Sequence, residues 1–417
     1  MTQDTELLDV SEARRRLLEH FPPLATIEIP LNAAVGHVLA EAIAAPYDLP
    51  PFPNSSMDGF AIQAADVVSA SPEYPTKLRV VGDIPAGTVV ERVLQPGEAM
   101  RIMTGAVIPA GADAVVPVED TDFSPRQGGT IAPEDVQVFK PVRIGDFVRP
   151  VGQDIRQGEV VLSAGHHIRP QDAGFLSMLG QDAVKVHRKP RVAIFSSGDE
   201  LTTADQPLAP GKIHDANSPM LIGLVQQYGG EVLHLGIIPD RLDAVAAALS
   251  QAVDAGVDLI VSSAGVSVGA LDFVRAAIER EGRLVFWRVN MRPGKPLVFG
   301  YFRNVPFVGL PGNPVSAFVG FEVFLRPVVL KMLGIVDTNR PFMRARLLEP
   351  VESDGRETYL RAVVNWREGE LVGRLTGHQG SGNLHSLVQA NALLFVPSGV
   401  KYVPSGAQVD AWLLGDW

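Results

Sequence analysis

VPFVGLPGNPVSAFVGFEVFL, residues 305–325, begins as an apolar strand and ends as an apolar helix. Between the two stand Pro311, Gly312, Asn313 and Pro314, with no acid, base or nucleophile among them. Asn313 suits an N-cap, and Pro314 suits the first helical position, where a missing N–H costs nothing. The helix is therefore expected to start abruptly at the carboxyl end of the strand, its free N–H groups forming a ready anion site. Gly312 permits close approach of backbone to ligand, and the prolines fix the shape of the turn. A merely rigid turn uses the same residues, so the surrounding sequence has to decide between the two readings.

That sequence is a run of short apolar strands and amphipathic helices over 188–333. RVAIFSSG, EVLHLGII, DLIVSSAG, RLVFWRV and VPFVGLPG alternate with NSPMLIGLVQQYGG and RLDAVAAALSQAVDAG. The pattern predicts a parallel sheet covered on both faces, an α/β/α domain whose ligands bind beyond the carboxyl ends of its strands. Before it, a helix over 11–20 stops at Pro22-Pro23 and is a candidate to pack on the α/β domain. Residues 51–142 are rich in Pro, Gly and Val and read as a small β-rich domain, inserted between 1–50 and 143–187, which together form an elongated linking domain. Residues 334–417 read as a C-terminal β domain. The fold class is α/β and multidomain.

Composition narrows the function. A chain of 417 residues exceeds one ordinary core, so about three domains are expected. Its 46% hydrophobic and 20% charged residues suit a soluble enzyme rather than a disordered chain. A net charge of −11 argues against wholesale nucleic-acid binding but leaves room for a local basic pocket. With no cysteine, disulfides, thiolate zinc sites and cysteine nucleophiles are excluded. The acidic, amphipathic N-terminus is unlike a secretory signal, and no apolar run matches a membrane span. Cytoplasmic location, with no membrane and no nucleic-acid partner, is the expectation. The adjacent His166 and His167 point to opposite faces if they lie in a strand, which argues against a shared metal. The basic cluster in ARRRLLEH reads as a solvated helix face.

The strand ends carry the chemistry. Asp199 and Glu200 follow the first strand of the α/β domain, Asp240 the second, and a Gly/Ser loop ending at Asp272 the third; Arg292 and Lys295 stand in MRPGKP. One carboxylate after a strand is usually a helix cap, whereas several beside a Gly/Ser loop point to a site. Hard carboxylate oxygens without nearby His or Cys suit Mg²⁺. Carboxylates holding a divalent cation coordinate a pyrophosphate through it, while Arg and Lys take a second oxyanion directly.

Several stretches together resemble the molybdopterin molybdenumtransferase family (MoeA and the gephyrin E domain). They are PFPNSSMDGFAI, RIMTGAVIPAGADAVVPVED, FSSGDEL, IHDANSPML, SSAGVSVGALDF, RPGKPLVFG, GLPGNPVSA and, more loosely, GHQGSGNLHSLVQANALLFVP, in the family's order and across nearly the whole chain. The resemblance implies four subdomains and a homodimer, each active site lying between the α/β domain of one subunit and the inserted domain of the other. It implies the last step of molybdenum cofactor synthesis, in which adenylylated molybdopterin and molybdate react and Mg²⁺-assisted cleavage releases AMP. It also makes the adenylyltransferase of the same pathway a candidate partner. Carried over, Asp58, Thr104 and Asp154 match functional positions outside the α/β domain, and Glu200, Asp240 and Asp272 match its carboxylates, the last two being the Mg²⁺ choice. Ser197, Gly198, Gly265, Ser267 and Gly269 match the nucleotide-phosphate cradle, and Pro311, Gly312, Asn313 and Pro314 the cleft wall. Arg292, Lys295, Arg361 and Ser381 match the molybdate positions. The chain departs from the pattern at Ala264, Ala270 and Arg292, where glycine, an acid and lysine are usual. Two alternatives are a non-catalytic pterin-binding scaffold and a tungstate-selective homologue.

Overall fold

The structure, a computed structural model, describes residues 7–124, 131–263 and 270–415. The chain divides into two compact units, Ala42–Ser163 and, from both flanks of it, Met1–Glu41 with Ala164–Trp417.

Helix α1 (Val10–Glu19) opens the larger unit. Val10, Ala13 and Leu17 recur at helical spacing and are buried. They join Phe286, Phe299 and Phe321 in one core, so the helix does pack on the α/β domain. The ARRRLLEH cluster is only partly a solvated face. Arg15 pairs with Glu12 on the surface, but Arg14 reaches across to donate to the Thr338 carbonyl at 3.2 Å. The next strand, Thr26–Pro30, pairs antiparallel with Ala183–His187, and helix α2 (Pro170–Met178) stands between them in sequence.

The α/β domain holds a six-stranded sheet. Its strands are β1 (Arg191–Ser197), β2 (Glu231–Ile238), β3 (Leu259–Ser263), β4 (Gly282–Arg288), β5 (Pro296–Phe302) and β6 (Val305–Leu310), in the order β2-β1-β3-β6-β5-β4. The first four in that order are parallel; β5 alone runs the other way, antiparallel to both β6 and β4. Sequence reading missed β5, and the reason is geometric. A parallel crossover needs about a dozen residues, usually a helix, whereas β5 and β6 are joined only by Arg303-Asn304, with Arg303 at φ 51°. Alternate residues of β1 serve opposite faces. Val192 and Ile194 pack with helices α3 (Asn217–Gln227), α6 (Pro314–Gly320) and α7 (Arg326–Met332). Ala193 and Phe195 pack with α4 (Leu242–Asp254) and α5 (Ala270–Glu281). The burial of both faces is why the inner strands β1, β3 and β6 read as unbroken apolar runs.

The C-terminal region forms a closed barrel. Strands Phe342–Leu347, Glu357–Arg367, Glu370–Leu375, Ala392–Val396 and Gln408–Leu413 form a ring closed by pairing of Glu357–Arg367 with Ala392–Val396. Closure removes the exposed sheet edges that a flat sheet of this size presents. The two-residue strand Met291–Arg292, in the connection between β4 and β5, pairs parallel with Glu357 and Thr358. The MRPGKP loop of the α/β domain is thereby stitched to the barrel.

The smaller unit is built on a five-stranded sheet in the order Ala114–Pro117, Gly59–Ile62, Glu98–Ile102, Thr76–Ile84, Asp135–Val138. Phe60, Ile62 and Val116 fill one face, and Ala61, Met100 and Val115 the other. No helix among the described residues is long and apolar enough to cross a membrane.

Candidate active site

A cleft of 1120 Å³ opens at the carboxyl edge of the sheet, where β1, β2 and β6 end. Ser197, Gly198, Glu200, Asp240, Arg292, Lys295, Pro311, Gly312, Asn313, Pro314 and Ser381 all line it. Residues read from five separate stretches of sequence thus share one crevice. Gly265, Ser267 and Gly269, and the side chain of Asp272, lie outside the described residues.

One end is acidic. Gly198 has φ 151°, and a Cβ there would fall 2.6 Å from Oε2 of Glu200, so only glycine lets that carboxylate fold back over the end of β1. The Asp240 N–H donates to Oδ1 of Asp199 at 3.2 Å, which ties the ends of β1 and β2 together. Burial, then the negative charges of Asp199 and Glu200, push the Asp240 carboxyl above its ordinary range. Among the described residues no group of three or more His, Asp or Glu side chains is placed to hold a metal.

The other end is cationic and depends on distant support. Arg292 lies 3.7 Å from Oδ2 of Asp354. Arg356 also lines the cleft; its Nε donates to the same oxygen at 3.1 Å and its Nη1 to the Met291 carbonyl at 3.0 Å. Held first by Arg356 and then by the charge of Arg292, the Asp354 carboxyl is pulled down to about 2. Arg361 does not reach the cleft lining. It is 1% exposed, and its guanidinium donates to Oγ of Ser386 at 3.0 Å and to the carbonyls of Gln379 at 3.2 Å and Gly380 at 2.9 Å. It carries the loop on which Ser381 stands. Burial, and secondarily Arg292, lower it to about 10, so it stays charged at neutral pH.

The turn that opens α6 differs from expectation. Asn313 occupies the N-cap position, but its side chain makes no cap bond; Nδ2 donates instead to Oγ of Ser381 at 3.0 Å. The Val315 N–H is not free either, donating to the Ser381 carbonyl at 3.1 Å. With Pro314 lacking a donor and the Val315 N–H taken, the start of the helix also serves to hold the 378–382 loop. Local sequence cannot show this, because the competing acceptor comes from 68 residues away.

In the smaller unit, Oδ1 of Asp58 accepts both the N–H and the hydroxyl of Thr104, each at 2.7 Å. These bonds, the backbone one first, hold the carboxyl below its ordinary range. A Cβ on Gly59 would fall 2.0 Å from the Val116 carbonyl, so the glycine after Asp58 is fixed by strand packing. Asp154 pairs with Arg149.

Comparison with known proteins accounts for this arrangement. The descriptions "MoeA N-terminal region (domain I and II)", "Probable molybdopterin binding domain" and "MoeA C-terminal region (domain IV)" match residues 8–180, 193–331 and 344–414. A molybdopterin molybdenumtransferase of Nostoc sp. is 39% identical over 91% of this chain and 87% of its own length. A molybdopterin molybdenumtransferase 2 of Mycobacterium tuberculosis is 38% identical over 97% of this chain and 98% of its own. The crystal structure of a molybdopterin biosynthesis MoeA protein from Pyrococcus horikosii superposes with a TM-score of 0.83 at 30% identity, covering 99% of this chain and 100% of the other. The chain belongs to the molybdopterin molybdenumtransferase family.

For this molybdenumtransferase-family chain, the cleft residues that escaped the sequence reading include Asp215, Asn217 and Arg356. Asp215 and Asn217 lie in IHDANSPML, which was singled out as a motif without assigning either residue. The signal was present: an Asp just before a helical run marks a helix start. Indeed Oδ1 of Asp215 accepts the N–H groups of Asn217 and Ser218, at 3.0 and 3.1 Å. The third, Arg356, follows the Asp-Gly of a turn and looks like any exposed turn residue until the barrel strand brings it to Met291.

Proposed function

We propose that this chain inserts molybdate into adenylylated molybdopterin with release of AMP, the last step of molybdenum cofactor synthesis. The observation that carries this reading is the division of one cleft into an acidic end, Glu200 and Asp240, and a cationic end, Arg292, Lys295 and Arg356. Both reactants are anions: the phosphoanhydride would be met at the acidic end through a divalent cation, and the small oxyanion at the cationic end directly.

In this reading, Lys295 and Arg292 hold molybdate as point charge and planar fork. Ser381 adds a hydroxyl, and the Arg361-held loop keeps it facing the cleft. Asp240, with Asp272, would hold Mg²⁺; the fit rests on the hard carboxylate oxygens that follow the strand ends, where burial first and then the charges of Asp199 and Glu200 disfavour an uncompensated Asp240 carboxylate. Bound there, the ion supplies charge neutralisation for the departing AMP phosphate. The remaining work is positioning: two reactants fixed in one crevice react as if at very high concentration. Ser197 and Gly198 place the phosphates against the end of β1, and Pro311–Pro314 form the opposite wall. The chain is proposed to act as a homodimer, to receive its substrate from the pathway's adenylyltransferase, and to work in the cytoplasm, with Asp58, Thr104 and Asp154 as further functional groups.

The test is incubation of purified protein with adenylylated molybdopterin, Mg²⁺ and molybdate. AMP is expected only when all three are present. AMP release at the same rate without molybdate, or none under any condition, overturns the proposal.

A further inference from the structure

Asn217 opens helix α3 beneath the cleft wall. Its residue is 7% exposed, yet it lines the cleft. Nδ2 donates to the Gly312 carbonyl at 2.8 Å, and the backbone N–H donates to Oδ1 of Asp215 at 3.0 Å. The Nδ2 bond fixes the amide's orientation, because a flip would set Oδ1 against the Gly312 oxygen. Among the described residues, Oδ1 is then a buried acceptor with no partner. Leaving such an atom unsatisfied costs about 1–3 kcal/mol, and proteins rarely carry the cost without use. Asp215, two residues before it, lines the same cleft, and its Oδ1 is already occupied by the hydroxyl of Ser196 at 3.1 Å as well as by the helix N–H groups. This corner of the cleft therefore presents acceptors, and an sp² oxygen held in a fixed plane suits a planar N–H donor.

We infer that Oδ1 of Asn217 recognises an exocyclic amino group of the substrate's heterocycle, acting as a specificity-determining contact. The inference rests on the proposed function, since adenylylated molybdopterin carries two such groups, the adenine amino group and that of the pterin. It explains why IHDANSPML combines a helix start with a side chain that makes no cap.

The experiment is a cycle between protein and ligand. Wild type and Asn217→Leu are titrated calorimetrically with two pairs of probes: AMP against purine riboside monophosphate, which lacks the 6-amino group, and neopterin against its 2-deamino analogue. If Asn217 served only to hold the Gly312 carbonyl, the substitution would weaken both members of a pair equally. Recognition predicts that wild type prefers the amino-bearing member by ~10-fold in one pair and that the preference vanishes in the variant. The AMP pair responding assigns the contact to adenine, and the neopterin pair assigns it to pterin. A preference ratio unchanged by the substitution in both pairs, or no wild-type preference in either, overturns the inference. Should Asn217→Leu misfold, Asn217→Ser serves, its shorter hydroxyl falling short of the same position. Wild-type AMP release in the full reaction is measured alongside. If it is absent, the proposed function fails; if it is present while neither pair shows the loss of preference, this inference alone fails.

Discussion

The two ends of the cleft are built on different principles. The acidic end is made where strands stop: Glu200 and Asp240 follow β1 and β2 within three residues, and hydrogen bonding between neighbouring turns is enough to hold them. The cationic end is assembled from a loop between β4 and β5, a barrel turn and a second barrel loop, none near another in sequence. Strand ends inherit their placement from the sheet, whereas loops must be tied down one by one. The lesson is that the cationic end should fail first when remote support is removed, and the acidic end only when its own side chains are changed.

The largest effect is expected at the hub of that support. Arg361→Met removes four donated hydrogen bonds from a buried position and leaves carbonyls of the 378–380 loop unpaired. A loss of about 3 kcal/mol is expected, read as a lowered melting temperature, together with loss of molybdate binding. A variant that melts like wild type and still binds molybdate would break the contrast. Next in size, Asp240→Asn and Asp272→Ala should each lower Mg²⁺-dependent AMP release by about 100-fold while melting stays within a degree or two. Near-full turnover in Asp272→Ala removes that residue from the mechanism.

Acidification should separate the ends more gently. Asp240 is raised above 3.8 while Asp354 is held down to about 2, so on lowering the pH Asp240 takes up its proton first. The anionic form that a cation needs is lost as pH falls through the raised value, whereas the Arg292–Asp354–Arg356 cluster keeps its charges until about pH 2. Magnesium dependence of AMP release is therefore expected to fade before oxyanion binding does, as the two are titrated in parallel from neutral toward acid pH. The reverse order would contradict the assignment of the two ends. The smallest effect belongs to Asp354→Asn. Asp354 and Arg292 are both partly exposed and their contact is long, so the pair is worth under about 1 kcal/mol. Freed of its competitor, Arg292 should bind molybdate about threefold more tightly; weaker binding would instead make Asp354 a positioning group.

The same contrast decides what could be read from the sequence. Short apolar runs announce themselves as strands, so β1, β2, β3, β4 and β6 were legible, and the acids that follow β1 and β2 do line the cleft. Strand β5 was not, because PLVFGYF follows a Pro/Gly loop and precedes its partner by a two-residue turn, which broke the expected alternation with helices. The commitments of Asn313 and the Val315 N–H to Ser381, and of Arg361 to the 378–380 carbonyls, depend on contacts between distant segments. No local pattern encodes them.

The pairing of Met291–Arg292 with the barrel has a consequence for how this protein can be divided. A chain cut after α7 would retain Glu200, Asp240 and the phosphate-facing wall, but would surrender Arg356, Ser381 and the strand that steadies Arg292. The acidic carboxylates thus come from one length of polypeptide, while the cationic end is shared between two, Arg292 and Lys295 from the α/β domain and Arg356 from the barrel.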